Sequence, residues 1–198
     1  RVYESLVRVR FLPHADANSW HPSVQFFDIV DDPSGKVLGH FYLDLHPRPG
    51  KFSHAAAFTL QPGCVLSDGS YQTPVSAIVA NFTTPTAHSP SLLRHSEVRT
   101  LFHEFGHILH QTLTRVRFQR FSGTNVERDF VEAPSQMLEH WCWQPNVLRD
   151  FSCHYQTGDP LDPNLIQNLI SAKNVSSGIS ILRQLYFSRL DLAYHAAG

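Results

Sequence analysis

His103-Glu104-Phe105-Gly106-His107 lies within a run from Val98 to Thr114 whose apolar residues, Val98, Leu101, Phe102, Phe105, Ile108 and Leu109, recur at helical spacing. No proline interrupts the run. Ser96 stands where an N-cap would start it, and Glu97 suits the positive end of a first turn. On such a helix His103 and His107 are four apart and share a face, so two imidazoles can grip one Zn²⁺. Glu104, about 100° round the helix, can reach a water on the open side of that ion. Gly106 weakens a helix, and its presence predicts a neighbour packed closely against it.

A pair of histidines does not make a metal site, and in a chain with 13 of them the pattern could arise by chance. His110, three residues past His107, reads as a bystander of the kind that usually sits hydrogen-bonded at a core rim. A third ligand has to come from elsewhere. Beyond the first helix, Pro134 is tolerable only in a first helical turn, so a second helix is predicted from close to Glu132 to Trp143. Glu132, 25 positions after His107, can close a His₂Glu site with one position left for water. Glu127, Asp129 and Glu139 are rival carboxylates, and spacing alone does not choose among the four. Of these, Asp129 fits best as a group that orients an imidazole from behind.

Composition narrows the class. Hydrophobic residues make up 42% of the 198 and charged residues 17%, which describes a folded chain with one sizeable core, or a slice of something larger. A net charge of −1 leaves no electrostatic footprint for nucleic acid or an anionic membrane, and no run reaches the roughly 18 apolar residues of a membrane span. Cys64, Cys142 and Cys153 are odd in number and widely spaced, which argues against a disulfide framework and for a reducing compartment.

Along the chain, Val7, Val9 and Phe11 alternate as a strand would. Val24 to Val30 and Lys36 to Leu45 are rich in β-branched and aromatic residues. Asp31-Asp32-Pro33-Ser34-Gly35 between them has turn chemistry, so a β-hairpin is predicted. Ala55 to Leu60 and Ala77 to Phe82 read as further short strands. The small side chains of His54-Ala55-Ala56-Ala57 would let a peptide add to a sheet edge, although an interior strand under a helix is the simpler reading. Arg115 to Gly123 is basic and aromatic, most simply a solvated face. Downstream, Asp162-Pro163 opens a helix carrying Leu165, Ile166, Leu169 and Ile170. After Ser176-Ser177-Gly178, residues Ile179, Leu182, Leu185, Tyr186 and Leu190 make an amphipathic helix, expected to pack on a core rather than serve as a partner surface, and to stand exposed where a longer chain's cover is absent. Strands first and helices after define an α+β fold. It is expected to hold a small antiparallel sheet, then the metal helix and further helices, with residues 1–90 sheet-rich and 91–198 helical.

Two linked motifs now carry a resemblance. His103-Glu104-Phe105-Gly106-His107, together with Ser122 to Gln136 continuing through Met137-Leu138-Glu139 and Trp141, resembles the thimet oligopeptidase and neurolysin family of zinc endopeptidases, the M3 peptidases. Trp20-His21-Pro22, the hairpin, Arg48 with Gly50-Lys51, and Leu60 to Cys64 are similar as well. The resemblance implies a zincin-like catalytic domain that is part of a larger, mainly helical peptidase. It implies that Glu132, which precedes Ala-Pro-Ser-Gln, is the third ligand of one Zn²⁺ per chain, beside His103 and His107. It further implies Glu104 as general base and short peptides, cut internally, as substrates. Family members carry helical regions on both sides of this part, and downstream a histidine- and tyrosine-rich loop with no counterpart here. Ser96 and His140 stand at positions where this chain departs from the family pattern. The cytosol is the expected compartment, with mitochondria as the alternative. Two hypotheses follow: a zinc metallo-oligopeptidase domain, or a catalytically inactive zinc-binding fragment that lacks the substrate loop.

Overall fold

A computed structural model describes residues 2–14 and 18–196. The chain divides into two units, Arg1–Cys142 and Trp143–Gly198.

The first unit opens with helix α1, Val2–Val7, and strand β1, Val9–Pro13. Val7 therefore belongs to a helix, and the predicted strand starts only after Arg8, whose positive φ of 54° turns the chain. The predicted hairpin follows as β2, Gln25–Asp31, and β3, Val37–Asp44, paired antiparallel. Asp31 receives the turn's hydrogen bonds from the backbone of Ser34 and Gly35, and Gly35 takes the positive φ that the tight reversal requires. After β4, Ala56–Gln61, a small two-stranded ribbon of β5, Cys64–Val65, and β6, Tyr71–Gln72, precedes β7, Val75–Val79.

The main sheet has the order β1-β2-β3-β7-β4 and is mixed, which corrects the expected antiparallel sheet. β7 slots between β3 and β4. It runs antiparallel to β4 and parallel to β3, pairing His40 with Val75 and Asp44 with Val79. Strand composition does not encode direction, but β7 carries one hint: Ser76, Ala77 and Ile78 are all buried, as in a strand covered on both faces. β4 lies at the sheet edge rather than in the interior.

Helix α2, His95–Thr112, crosses one face of this sheet. Its N-cap is Arg94, not Ser96. Glu97 accepts from the backbone N–H groups of Arg94 and Thr83, both at 2.7 Å, so the carboxylate in the first turn takes over what a capping hydroxyl would do. The core beneath is aromatic. Phe105 meets Phe41 and Phe11 edge-on and stacks on Tyr3, whose hydroxyl donates to the Phe102 carbonyl. Ile29, Ile78 and Ile108 are fully buried around them.

At the end of β3 a charged knot is buried. Asp44, 1% exposed, accepts from both terminal nitrogens of Arg48 and from Trp20 Nε1, and Lys51 Nζ lies 2.8 Å away. Lys51 also donates to the carbonyls of Asp44, His46 and Ala80, so both buried charges are fully partnered. Helix α3, Ala133–Glu139, starts with Pro134 in its first turn as predicted, and residues 140–143 continue as a 3₁₀ turn.

The second unit contains α4, Pro145–Phe151, then α5, Pro163–Ala172, and α6, Ser177–His195. Asp162 caps α5 by accepting from the Asn164 N–H at 2.8 Å. The last helix is exposed, the alternative to core packing that the resemblance allows where the cover comes from parts of longer family members: among the described residues α6 has no buried side chain. Its apolar surface is wide, because Ile181, Phe187, Leu192 and Tyr194 extend the stripe of Ile179, Leu182, Leu185 and Leu190 and leave only a narrow polar strip of Ser180, Gln184, Ser188 and Asp191. No helix among the described residues is long and apolar enough to cross a membrane.

Candidate metal centre

His103 and His107 project from the same side of α2, their rings at 82° with centroids 5.0 Å apart. Glu132 is the N-cap residue of α3, yet its side chain caps nothing. It turns instead toward α2, where Oε2 stands 3.2 Å from Nε2 of His103 and 3.2 Å from Nε2 of His107. These three residues form a group that could hold a metal ion, with one donor atom from each lying within 4.8 Å of the others.

The spacing suits a tetrahedral ion. Donors bonded at about 2.0–2.1 Å around such an ion stand about 3.3 Å apart, close to both observed separations. Tautomer chemistry points the same way. His103 Nδ1 lies 2.7 Å from Glu139 Oε1, so Nδ1 carries the proton that the carboxylate accepts and Nε2 keeps its lone pair. A lone pair facing a carboxylate oxygen at 3.2 Å is repulsive unless a proton or a cation stands between them. For His107, burial pushes the imidazole below its usual range despite the opposing charge of Glu132, which favours the neutral, ligating form.

Two carboxylates change places relative to expectation. Asp129 is exposed in the turns before α3, while Glu139, weighed as a rival ligand, is the group that orients His103. Glu139 Oε2 in turn accepts from Arg99 Nε at 2.5 Å, giving a relay of Arg99, Glu139 and His103. Burial alone would raise Glu139, but Arg99 and His103 outweigh it and hold the carboxyl below its ordinary value. A signal for this existed in the sequence. Glu139 follows Glu132 by seven residues, two helical turns, and so returns to the same face of α3. Glu127 is exposed, and His110 sits edge-on to Phe130, outside the donor group.

Glu104 is 8% exposed and lies beside the edge strand, with a backbone hydrogen bond from Ala57. Burial raises its carboxyl above the usual range, opposed by His103 and the Ala57 bond and reinforced by the negative charge of Glu132. A hollow of about 380 Å³, lined by Ser96, Arg99, Thr100, His103, Glu104 and Glu139, opens in front of it. A carboxyl with raised proton affinity, beside two imidazoles that could hold a metal ion and an open cleft, suits metal-assisted hydrolysis.

Two imidazoles four apart on one helix, with a carboxylate from the next, define the His-Glu-x-x-His class of metallopeptidase centres. The chain belongs to peptidase family M3, whose sequence profile matches residues 1–198. It is 47% identical to a thimet-like oligopeptidase of Dictyostelium discoideum over 197 residues, 98% of this chain and 29% of that protein. It is 42% identical to saccharolysin of Saccharomyces cerevisiae, across 98% of this chain and 28% of that protein. Oligopeptidase A of Escherichia coli is 43% identical over 91% of the chain and 27% of its own length. The chain thus spans under a third of the length of these relatives.

Proposed function

We propose that this chain forms the catalytic centre of a zinc-dependent endopeptidase that hydrolyses internal bonds of short peptides. His103, His107 and Glu132 hold one Zn²⁺ per chain. The observation that carries the reading is the convergence of both Nε2 atoms on a single Glu132 oxygen at 3.2 Å, the spacing a tetrahedral ion imposes. When bound, zinc supplies Lewis acidity, acidifying water and polarising the scissile carbonyl.

The remaining chemistry rests with the chain's own residues. Glu104 accepts a proton from the attacking water at a carboxylate oxygen and delivers it to the departing amine nitrogen. A carboxyl raised by burial is better suited to hold that proton between the two events. Glu139 keeps His103 in the tautomer that presents Nε2. β4 lies at the sheet edge beside Glu104, where an extended peptide can add as a further strand. Its relatives' names, thimet-like oligopeptidase and oligopeptidase A, support short peptides as the substrate class. The three free cysteines fit a reducing compartment such as the cytosol, while the 40% identity to a mitochondrial intermediate peptidase of Arabidopsis thaliana supports mitochondria as the alternative.

Turnover of an internally quenched peptide, with and without a chelator, tests this reading. Chelator-sensitive cleavage is expected, together with its loss in Glu104→Gln while about one zinc per chain is retained. Zinc retained with no turnover in the parent chain would instead favour an inactive zinc-binding fragment.

A further inference from the structure

The third ligand is the only one of the three that does not come from α2, so something must set its distance from the two imidazoles. Two contacts on the inner side of α3 do so. A Cβ placed on Gly106 would stand 2.6 Å from Ser135 Cα, 3.2 Å from Ser135 N and 3.3 Å from the Pro134 carbonyl oxygen. All three are backbone or ring-constrained atoms that cannot swing aside, so α3 rests directly on the α2 backbone at the one residue without a side chain. Gly106 lies between His103 and His107, and Ser135 is three residues past Glu132, so this contact falls at the level of the site.

Ser135 supplies the second constraint. It is fully buried, and its hydroxyl has two acceptors in reach: the Glu132 carbonyl at 3.0 Å and Glu132 Oε2 at 2.7 Å. The nearer acceptor is charged and makes the stronger bond. Oε2 is also the oxygen that faces both imidazoles. The Ser135 hydroxyl thereby takes one lone pair of the same oxygen that stands 3.2 Å from each Nε2.

We infer that Gly106 and Ser135 act as a positioning pair for the third ligand: Gly106 sets how near α3 approaches, and Ser135 sets which way the Glu132 carboxylate points. This rests on His103, His107 and Glu132 as the metal ligands. It accounts for a glycine in the middle of a helix, where alanine would stabilise the helix itself.

The test is zinc affinity, measured by competition with a chromophoric chelator on the full 198-residue chain. Ser135→Ala removes the donor without adding an atom. It is expected to weaken zinc binding roughly 10- to 100-fold while the thermal midpoint of the metal-free chain stays at the parent value. In a Glu132→Gln background the same change should have no further effect on zinc, because the group it orients is gone. A purely structural serine would act equally in both backgrounds. Gly106→Ala should weaken zinc at least as much as Ser135→Ala; if it does not fold, the Ser135→Ala pair still decides. Parental affinity in Ser135→Ala, or an equal loss in both backgrounds, overturns the inference. Unchanged affinity in Glu132→Gln alone overturns the ligand assignment instead, so the two failures are separable.

Discussion

Glu139 Oε1 lies 2.7 Å from His103 Nδ1, and the other oxygen of the same carboxylate is held by Arg99. The arrangement fixes the ring's rotation and tautomer before any ion arrives. Ordering an imidazole costs entropy, and a ligand already ordered binds more tightly by that amount.

Glu139→Ala should therefore weaken zinc binding roughly 10- to 100-fold, and Glu139→Gln should do less harm, since the amide oxygen can still accept the Nδ1 proton. Chelator competition measures both. The order Ala worse than Gln is the specific expectation, and equal losses would point to charge rather than orientation.

Asp44 yields a pH prediction. Burial alone would raise its carboxyl, but Arg48, Lys51 and Trp20 outweigh burial and hold it well below the usual carboxylate range. A carboxyl depressed in the folded state adds stability that is fully present above its unfolded value, about 3.9. That contribution is lost as pH falls from there toward the folded value. Asp44→Asn leaves Lys51 buried, at 2% side-chain exposure, without its charged partner. It should destabilise the chain by about 3 kcal/mol at neutral pH. In urea unfolding at a series of pH values, the gap between parent and variant should hold above about pH 5 and narrow below about pH 4. A gap that widens on acidification would refute this account of the knot.

The edge strand makes a kinetic prediction. Ala56 and Ala57 are small, whereas Phe58 and Leu60 further along β4 are 41% and 52% exposed. Ala56→Leu should raise the Michaelis constant for a quenched peptide about tenfold, equivalent to about 1.4 kcal/mol of lost binding, with little change in thermal midpoint. An unchanged Michaelis constant would remove β4 from the substrate path.

Much of this arrangement could be read before any coordinates. The hairpin from Gln25 to Asp44 announced itself because strand composition and turn chemistry agree, and α2 did so because period, polar face and first-turn carboxylate agree. Gly106 signalled a close neighbour, which proved to be the backbone of Ser135. Direction was not readable: β7 runs parallel to β3 because β4 takes the outer position, a matter of topology rather than of any residue in β7. Burial was also out of reach for α6, whose apolar residues are spaced for a core that these residues do not provide. The choice between Asp129 and Glu139 as the orienting group was partly legible, because α3 starts where Pro134 puts it and Glu139 stands two turns past Glu132. That its carboxylate reaches His103 depends on how α3 packs against α2. In each case local chemistry was legible and the competition among distant segments was not.

The central claim is that two imidazoles and one carboxylate share a single ion. X-ray absorption at the zinc edge of the loaded chain tests it most directly. The expected result is a shell of about four nitrogen and oxygen neighbours at about 2.0–2.1 Å with multiple scattering from two imidazole rings, changed in Glu132→Gln. Sulfur neighbours at about 2.3 Å, or a shell without imidazole scattering, would contradict it.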